Sequence, residues 1–421
     1  MDERQGRRNV LAAAAAGCIG FTGFTLVMPF LPLYIAELGT TDVKEIAMWT
    51  GLTLGATPTV TAISAPLWGR VGDRYGSKVL VIRSLVAFIL TKAAMGFVTA
   101  PWQLFALRAL LGVFAGYGAL TISMAAESAP RDRMAQAIGM VQTGHRLGPA
   151  VGPVIGGLLA PIVGLRRSFL FAAAFYVVAL IAIMVFYKEP RESGAPRPVR
   201  GGRAVLSHLF RLPGFLLALA VIFGLQTVDR SFGPVLPLYV AQTGVPINRI
   251  PIVTGILFSL GAIAAAFGHH LAGKLMQATE GSGGTERKPR HSARRVIVTG
   301  TLLAAAAVAG IVVAPSLYVV GAAMLLFGIS VGVATTTIYA VAGSSLPPDA
   351  HATGFGVMTT ASLLGLAVSP VIAGFIGGTG LRLVFVADVV LLVVVGLLVF
   401  RGLRSRPHVA DDSGDPALAD P

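Results

Sequence analysis

Along the chain, long uninterrupted apolar stretches alternate with short polar gaps. The stretches fall at 10–34, 48–68, 79–99, 103–125, 135–160 and 169–187, and, after a wider gap, at 214–240, 251–271, 296–314, 317–342, 354–376 and 383–400. Each is close to the ~20 residues that a helix needs to cross the hydrocarbon core of a bilayer. Twelve such segments predict an all-α membrane protein, because a helix satisfies its backbone polar groups internally where no water is at hand. Their grouping predicts an N-terminal six-helix bundle over 1–187, a linker rich in Arg, Pro and Gly over 188–213, and a C-terminal six-helix bundle over 214–403. The polar stretch at 280–295 reads as a further flexible loop, and 404–421 as a disordered tail.

Composition agrees with this pattern. With 55% apolar and 12% charged residues, the chain carries about half the charge of a soluble domain. The 51 glycines suit close helix packing in lipid. One cysteine, Cys18, leaves no intrachain disulfide and no thiolate cluster.

The net charge of +14 would suggest a nucleic-acid partner in a soluble chain, but its distribution is topological. With the N-terminus inside, the inner segments hold 23 Lys and Arg, the outer loops hold 5, and Arg83, Lys92, Arg108, Arg146 and Arg230 lie within segments. This asymmetry predicts cytoplasmic termini and removes the case for nucleic acid. Arg4, Arg7 and Arg8 ahead of an Ala-rich run look like a secretory leader, but the apolar run continues past Cys18 to Tyr34, so it reads as a retained span.

The two halves repeat one another. Leu31-Pro32-Leu33-Tyr34 with Gly39 returns 205 positions later as Leu236-Pro237-Leu238-Tyr239 with Gly244. Gly148, Ala150, Pro153 and Gly157 return 217 positions later as Gly365, Ala367, Pro370 and Gly374. The growth in offset is what an insertion in the 280–295 loop requires. A parallel repeat of six-helix units predicts two pseudo-symmetric bundles with a substrate path between them near the bilayer midplane.

Three motifs stand on this frame. After the second segment comes Gly69-Arg70-Val71-Gly72-Asp73-Arg74-Tyr75-Gly76-Ser77-Lys78. Glycines allow a tight turn there, and an acid among bases can make ion pairs in one conformation and lose them in another. In the fourth segment Arg108 is followed by Gly112 and Gly116, and a charge within the membrane is a functional candidate by default. The fifth carries Gly148, Gly152, Pro153, Gly156 and Gly157, whose spacing gives a groove for close backbone approach.

These motifs resemble those of the major facilitator superfamily, and the one in the fifth segment resembles the antiporter motif of its drug-exporting, twelve-helix bacterial members. The resemblance covers about 10–400. It implies a multi-pass protein of the cytoplasmic (inner) membrane that exports small amphiphilic or drug-like molecules in exchange for protons by alternating access, not an enzyme. It implies a conformational switch at Gly69, Gly72, Asp73, Arg74, Gly76 and Lys78 with Glu127 as acidic partner. Ser77 stands where the family's signature usually has a base, which shifts the charge relay onto Arg74 and Lys78.

Proton coupling needs a membrane group that changes charge. The candidates are Asp229 first, then His145 and Asp388. Asp229 maps by the repeat onto Phe24, in the middle of the first segment. Arg146 lies at similar depth and reads as an anion-binding or counter-charge residue alongside Arg108 and Arg230; His145 beside it points ~100° away. Phe24, Met28, Gln226 and Tyr339 are candidate cavity-wall residues. No cofactor or metal is expected, since His269 and His270 lack further ligands nearby in the sequence. The expected partners are a small-molecule substrate, protons and the lipid bilayer, with the chain acting as a monomer. Five embedded bases against two embedded acids keep a second reading open, a proton-coupled or facilitative permease for a small organic anion.

Overall fold

The computed structural model describes residues 3–130, 133–189, 203–212, 214–280, 288–313, 316–347 and 350–402. Among them the chain is helical throughout, without strands. The first passage is bent, running through α1 (Glu3–Thr25), a 3-10 turn (Met28–Phe30) and α2 (Leu31–Glu37), with Pro29 and Pro32 at the bend. Then come α3 (Val43–Tyr75), α4 (Ser77–Met95), α5 (Pro101–Val113) with α6 (Tyr117–Ser128), α7 (Met134–Val163) and α8 (Leu165–Phe186). The second half repeats the series as α10 (Phe215–Gln242), α11 (Ile250–Glu280), α12 (Lys288–Val313), α13 (Leu317–Ser344), α14 (His351–Thr379) and α15 (Leu381–Gly402).

Ten of these passages are long and apolar enough to cross a membrane. The other two are α3, diluted by Thr50, Thr53, Thr57, Thr59 and Thr61, and α4, which carries Lys78, Arg83 and Lys92. Burial against neighbouring helices compensates, because Thr50, Thr53, Thr57 and Lys92 lie in the interior.

Two stretches differ from the sequence reading. The fourth passage is not one helix: α5 ends at Val113 and α6 restarts at Tyr117, with Gly116 at φ 108°. Glycine is the residue that adopts this backbone without strain. The expected linker also contains a helix, α9 (Arg203–Arg211), which buries Leu209. Within 280–295 the helix α12 already begins at Lys288, and 281–287 lie outside the described residues, as do 190–202 and the tail 403–421.

Packing repeats with the sequence. In the first half α7 lies along α1, where Gly148 approaches Phe21 and Thr22, and a Cβ at Gly156 would strike the Leu26 carbonyl. In the second half α14 lies along α10, where Gly365 approaches Phe223 and Gln226. Gly112 brings α5 against Thr57 and Val60 of α3, and Gly328 brings α13 against Gly261 and Ala264 of α11. Small residues at these crossings let backbones approach, which is how helices gain contact where lipid gives no hydrophobic drive.

The bundles meet along two further pairs, α3 with α14 and α7 with α11. One end of the molecule holds the start of α1 and the α3–α4 turn and is called here the basic end; the other, with the α7–α8 and α10–α11 turns, is the far end.

Candidate functional site

The site is the cleft between the bundles, and three pairs of glycines define its shape. Toward the far end Gly157 of α7 packs on Pro251 and Ile252 of α11, Gly255 of α11 on the Pro153 carbonyl and Gly157, and Gly374 of α14 on Ala47 and Gly51 of α3. Eighteen residues along each of these helices are Gly139, Gly273 and Gly356. Eighteen residues are five turns of 3.6, so each member of a pair points the same way. A Cβ at Gly139, Gly273 or Gly356 would meet nothing within 4 Å. The same faces that seal the far end stand apart at the basic end.

Arg146 lies on this face of α7, three turns from Gly157, and is exposed. Ala266 and half-buried His269 occupy the facing side of α11, and Thr360 is exposed on α14. Arg146 and His269 interact electrostatically across the two bundles, while His269 Nδ1 is 2.7 Å from Thr336 Oγ1. Thr336, on α13, was not singled out in the sequence, and His269 was noted only as a position short of metal ligands. The repeat of glycine at eighteen residues was the signal that could have found this face.

Asp229 is on α10 between Gln226 and Gly233, and Gly233 faces Leu54 of α3 across the divide. Its carboxylate is therefore one turn below the seal. Its side chain is 32% exposed, and Arg230 Nε stands 3.1 Å from Oδ2. This is an ion pair without hydrogen-bond alignment, since the same Nε finds no hydrogen-bond partner. Gln226 Nε2 donates to Ser362 Oγ at 2.8 Å, tying α10 to α14.

Three of the other candidates, His145, Asp388 and Arg108, lie inside their own bundles. His145 turns into its own bundle, with Nε2 2.9 Å from Thr121 Oγ1 and its ring 4.7 Å from that of Phe21, over Gly17. Asp388 is only 5% exposed and accepts a 2.6 Å hydrogen bond from Ser231 Oγ inside the second bundle. Arg108 is fully buried, 5.6 Å from the Phe24 ring centroid. Met28 sits half-buried in the bend of the first passage, and Tyr339 directs its hydroxyl at the Met358 carbonyl, 3.5 Å away.

The side chains of Gly69, Gly72, Asp73 and Arg74 lie outside the described residues, although their backbone belongs to the last turns of α3. Next to them Gly76 turns at φ 85° against the Glu189 carboxylate. Lys78 Nζ donates to the Tyr187 carbonyl at 2.7 Å. Glu127 Oε1 accepts from Ser77 Oγ and from Ser123 Oγ, both at 2.8 Å.

Known proteins resemble this chain in sequence and in fold. It is 33% identical over 270 residues to Multidrug resistance protein MdtG of Yersinia enterocolitica, covering 64% of this chain and 65% of that protein. It is 34% identical over 272 residues to MdtG of Citrobacter koseri, covering 64% and 66%. The aligned part thus spans just under two thirds of these relatives. Two structures of a bacterial homolog of the human lysosomal transporter Spinster share the fold with TM-score 0.77: the inward-facing unoccupied form at 17% identity over 96% of this chain and 98% of that one, and the inward-facing occupied form at 18% over 97% and 100%. The family model of the Major Facilitator Superfamily matches residues 13–282 and 289–419. With nearly its whole length matched, this multi-pass membrane chain belongs to the Major Facilitator Superfamily, a family of transporters rather than enzymes.

Proposed function

We propose that this chain exports small amphiphilic, drug-like molecules across the cytoplasmic membrane in exchange for protons, as a monomer working by alternating access. The observation that carries the reading is the cleft: sealed by glycine contacts at one end, open at the other, with Arg146 and Asp229 on its walls. The excess of Lys and Arg at the basic end supports a cytoplasmic placement of both termini, and the cleft then opens inward. The relatives named multidrug resistance proteins support the drug-like cargo.

In this reading Asp229 takes a proton, which breaks its pair with Arg230 and frees that base as the bundles rock. Arg146 holds compensating charge on the opposite wall. The far-end seal opens as the basic end closes, and the α3–α4 turn, with Gly76 and Lys78, latches the closed basic end when Glu127 exchanges Ser77 for a base of that turn. Carrying a charge pair through a low-dielectric passage is costly unless it is neutralised, so an acid that protonates at one stage of the cycle couples the gradient to the movement.

The test is transport of a cationic dye by the protein in proteoliposomes under an imposed pH gradient. Gradient-dependent dye movement that is lost in Asp229→Asn is expected. Equal movement with and without the gradient, in wild type and variant alike, rules the coupling out. The exposed Arg146 favours one second reading, transport of a small organic anion; uptake of a labelled carboxylate that vanishes in Arg146→Ala would select it.

A further inference from the structure

Lys92 of α4 and Arg108 of α5 are both 0% exposed inside the first bundle. Their cationic groups lie against one ring, Lys92 Nζ 5.7 Å and Arg108 Cζ 5.6 Å from the centroid of Phe24, and the two interact electrostatically with each other. Lys92 Nζ and Arg108 Nε and Nη2 have no hydrogen-bond partner. Arg108 also interacts with Tyr176, and Tyr176 with Tyr117; both hydroxyls lack a partner, and both rings pack on Phe88, at 5.3 Å and 6.1 Å. Three helical passages thus bring donors to one dry place, and no carboxylate pairs with either base among the described residues.

Charges without partners are strongly disfavoured in such a medium, and two of the same sign more so. A guanidinium cannot shed its proton to relieve this. A negative charge supplied from outside the chain satisfies all four groups together. The place is behind α1 rather than in the cleft, and it is fully enclosed, so the occupant is small.

We propose that the first bundle holds a small inorganic monoanion of halide type between Lys92 and Arg108, with the Tyr117 and Tyr176 hydroxyls completing its shell. The anion is a resident counter-charge rather than cargo, and it joins α4, α5 and α6 to α8 across the bundle. This removes Arg108 from substrate contact and leaves Arg146 as the cation of the cleft. The inference stands whether or not the transport reading holds, because it concerns binding to the folded protein.

The experiment is thermal unfolding of the purified full-length protein in detergent, followed by tryptophan fluorescence, with sodium chloride or bromide replacing sodium gluconate at constant ionic strength. The midpoint is expected to rise by a few degrees, saturably, in either halide. Lys92→Met keeps the length of the apolar stem and is expected to lose the halide response while matching or exceeding the wild-type midpoint in gluconate. A bromide anomalous peak beside Lys92 and Arg108 in crystals is the expected direct sign. No difference between halide and gluconate in the wild type would mean that Lys92 is kept neutral and overturns the proposal; a halide response that persists in Lys92→Met overturns it equally. Arg108→Met supplies a second variant with the same expectation where it folds.

Discussion

The guanidinium of Arg83 stacks on the ring of Trp68 at 3.4 Å and donates from Nη2 to the Phe114 carbonyl at 2.9 Å. Phe114 lies where the fourth passage breaks, so its carbonyl and its neighbours have lost their helical partners. Side chains from other helices replace them: Ser64 Oγ donates to the Gly112 carbonyl at 3.1 Å and Trp68 Nε1 to that of Val113 at 2.6 Å. A base at a helix C-terminus also meets the negative end of the helix dipole. Arg83→Leu is therefore expected to cost about 1–3 kcal/mol of stability, the usual range for leaving a buried polar group unpaired. Trp68→Phe, which keeps the ring and loses one donor, should cost less. Unfolding midpoints of the two variants in one detergent check the order.

This break shows where the sequence stopped being informative. The apolar run at 103–125 is continuous, so periodicity alone reads one helix; only Gly116 hinted at an interruption, and a glycine inside an apolar run is as often a packing position. The twelve passages and their pairing were legible because each needs the same apolar length and because Gly148 and Gly365 sit at equivalent places in the repeat. Side-chain direction was less so. His145 and Arg146 are neighbours, yet one faces Thr121 in its own bundle and the other the cleft. Asp388 lies in the last apolar segment, and the depth of its burial comes from α10, which supplies Ser231 from 157 residues away. Contacts of that separation leave no mark on local pattern.

The glycine pairs separate packing from movement. Gly157→Val puts a branched side chain onto the Pro251 carbonyl and the Ile252 backbone, and overpacking of this kind typically costs about 1–3 kcal/mol. Gly139→Val, on the same face, meets nothing. The expected result is a lowered midpoint for Gly157→Val and an unchanged one for Gly139→Val. If the basic ends close during transport, Gly139→Val should nonetheless slow turnover. Unaltered turnover would mean that this part of α7 never meets its partner.

Cys18 is the single cysteine, so Cys18→Ser gives a background for mapping the cleft. In that background Thr360→Cys, on the exposed face of α14, is expected to react quickly with a bulky hydrophilic maleimide added on the cytoplasmic side. Ala47→Cys, in the fully buried position on which Gly374 packs, should react slowly from either side. Comparable rates at the two positions would contradict a seal at the far end.

Asp229 and Asp388 make opposite predictions for the same substitution. Asp388→Asn keeps an oxygen that can accept from Ser231, and is expected to fold and to retain gradient-driven transport. Ser231→Ala removes the hydroxyl that donates to Asp388 at 2.6 Å and leaves a carboxyl at 5% exposure without its partner, at a cost of about 1–3 kcal/mol. Asp229→Asn should change stability little, because its ion pair with Arg230 is solvent-accessible, at 36% and 32% exposure, and such pairs contribute about 0–1 kcal/mol. Its loss should appear in coupling. Transport that loses its gradient dependence in Asp388→Asn and keeps it in Asp229→Asn would move the proton site into the second bundle's interior.

Glu127 receives two hydroxyls on one oxygen, from Ser77 across the bundle and from Ser123 one turn back on its own helix. Glu127 is exposed, and hydrogen bonds to charged groups contribute about 1.5–3 kcal/mol when shielded and less in water. Ser77→Ala alone should therefore shift the unfolding midpoint little. Its effect is expected on rate, since Ser77 begins α4 at the turn that follows Gly76, and the bond to Glu127 fixes that turn to α6 in the state with the basic end open. Ser77→Arg replaces the hydroxyl's hydrogen bond with an ion pair to Glu127, and the stronger tie should slow the passage out of this state. Measuring initial dye-transport rates in Ser77→Ala, Ser77→Arg and the double variant Ser77→Arg/Glu127→Gln tests this: the rate should fall in Ser77→Arg and recover when the acid is removed. A rate that stays low in the double variant would show that the arginine acts by bulk rather than through Glu127.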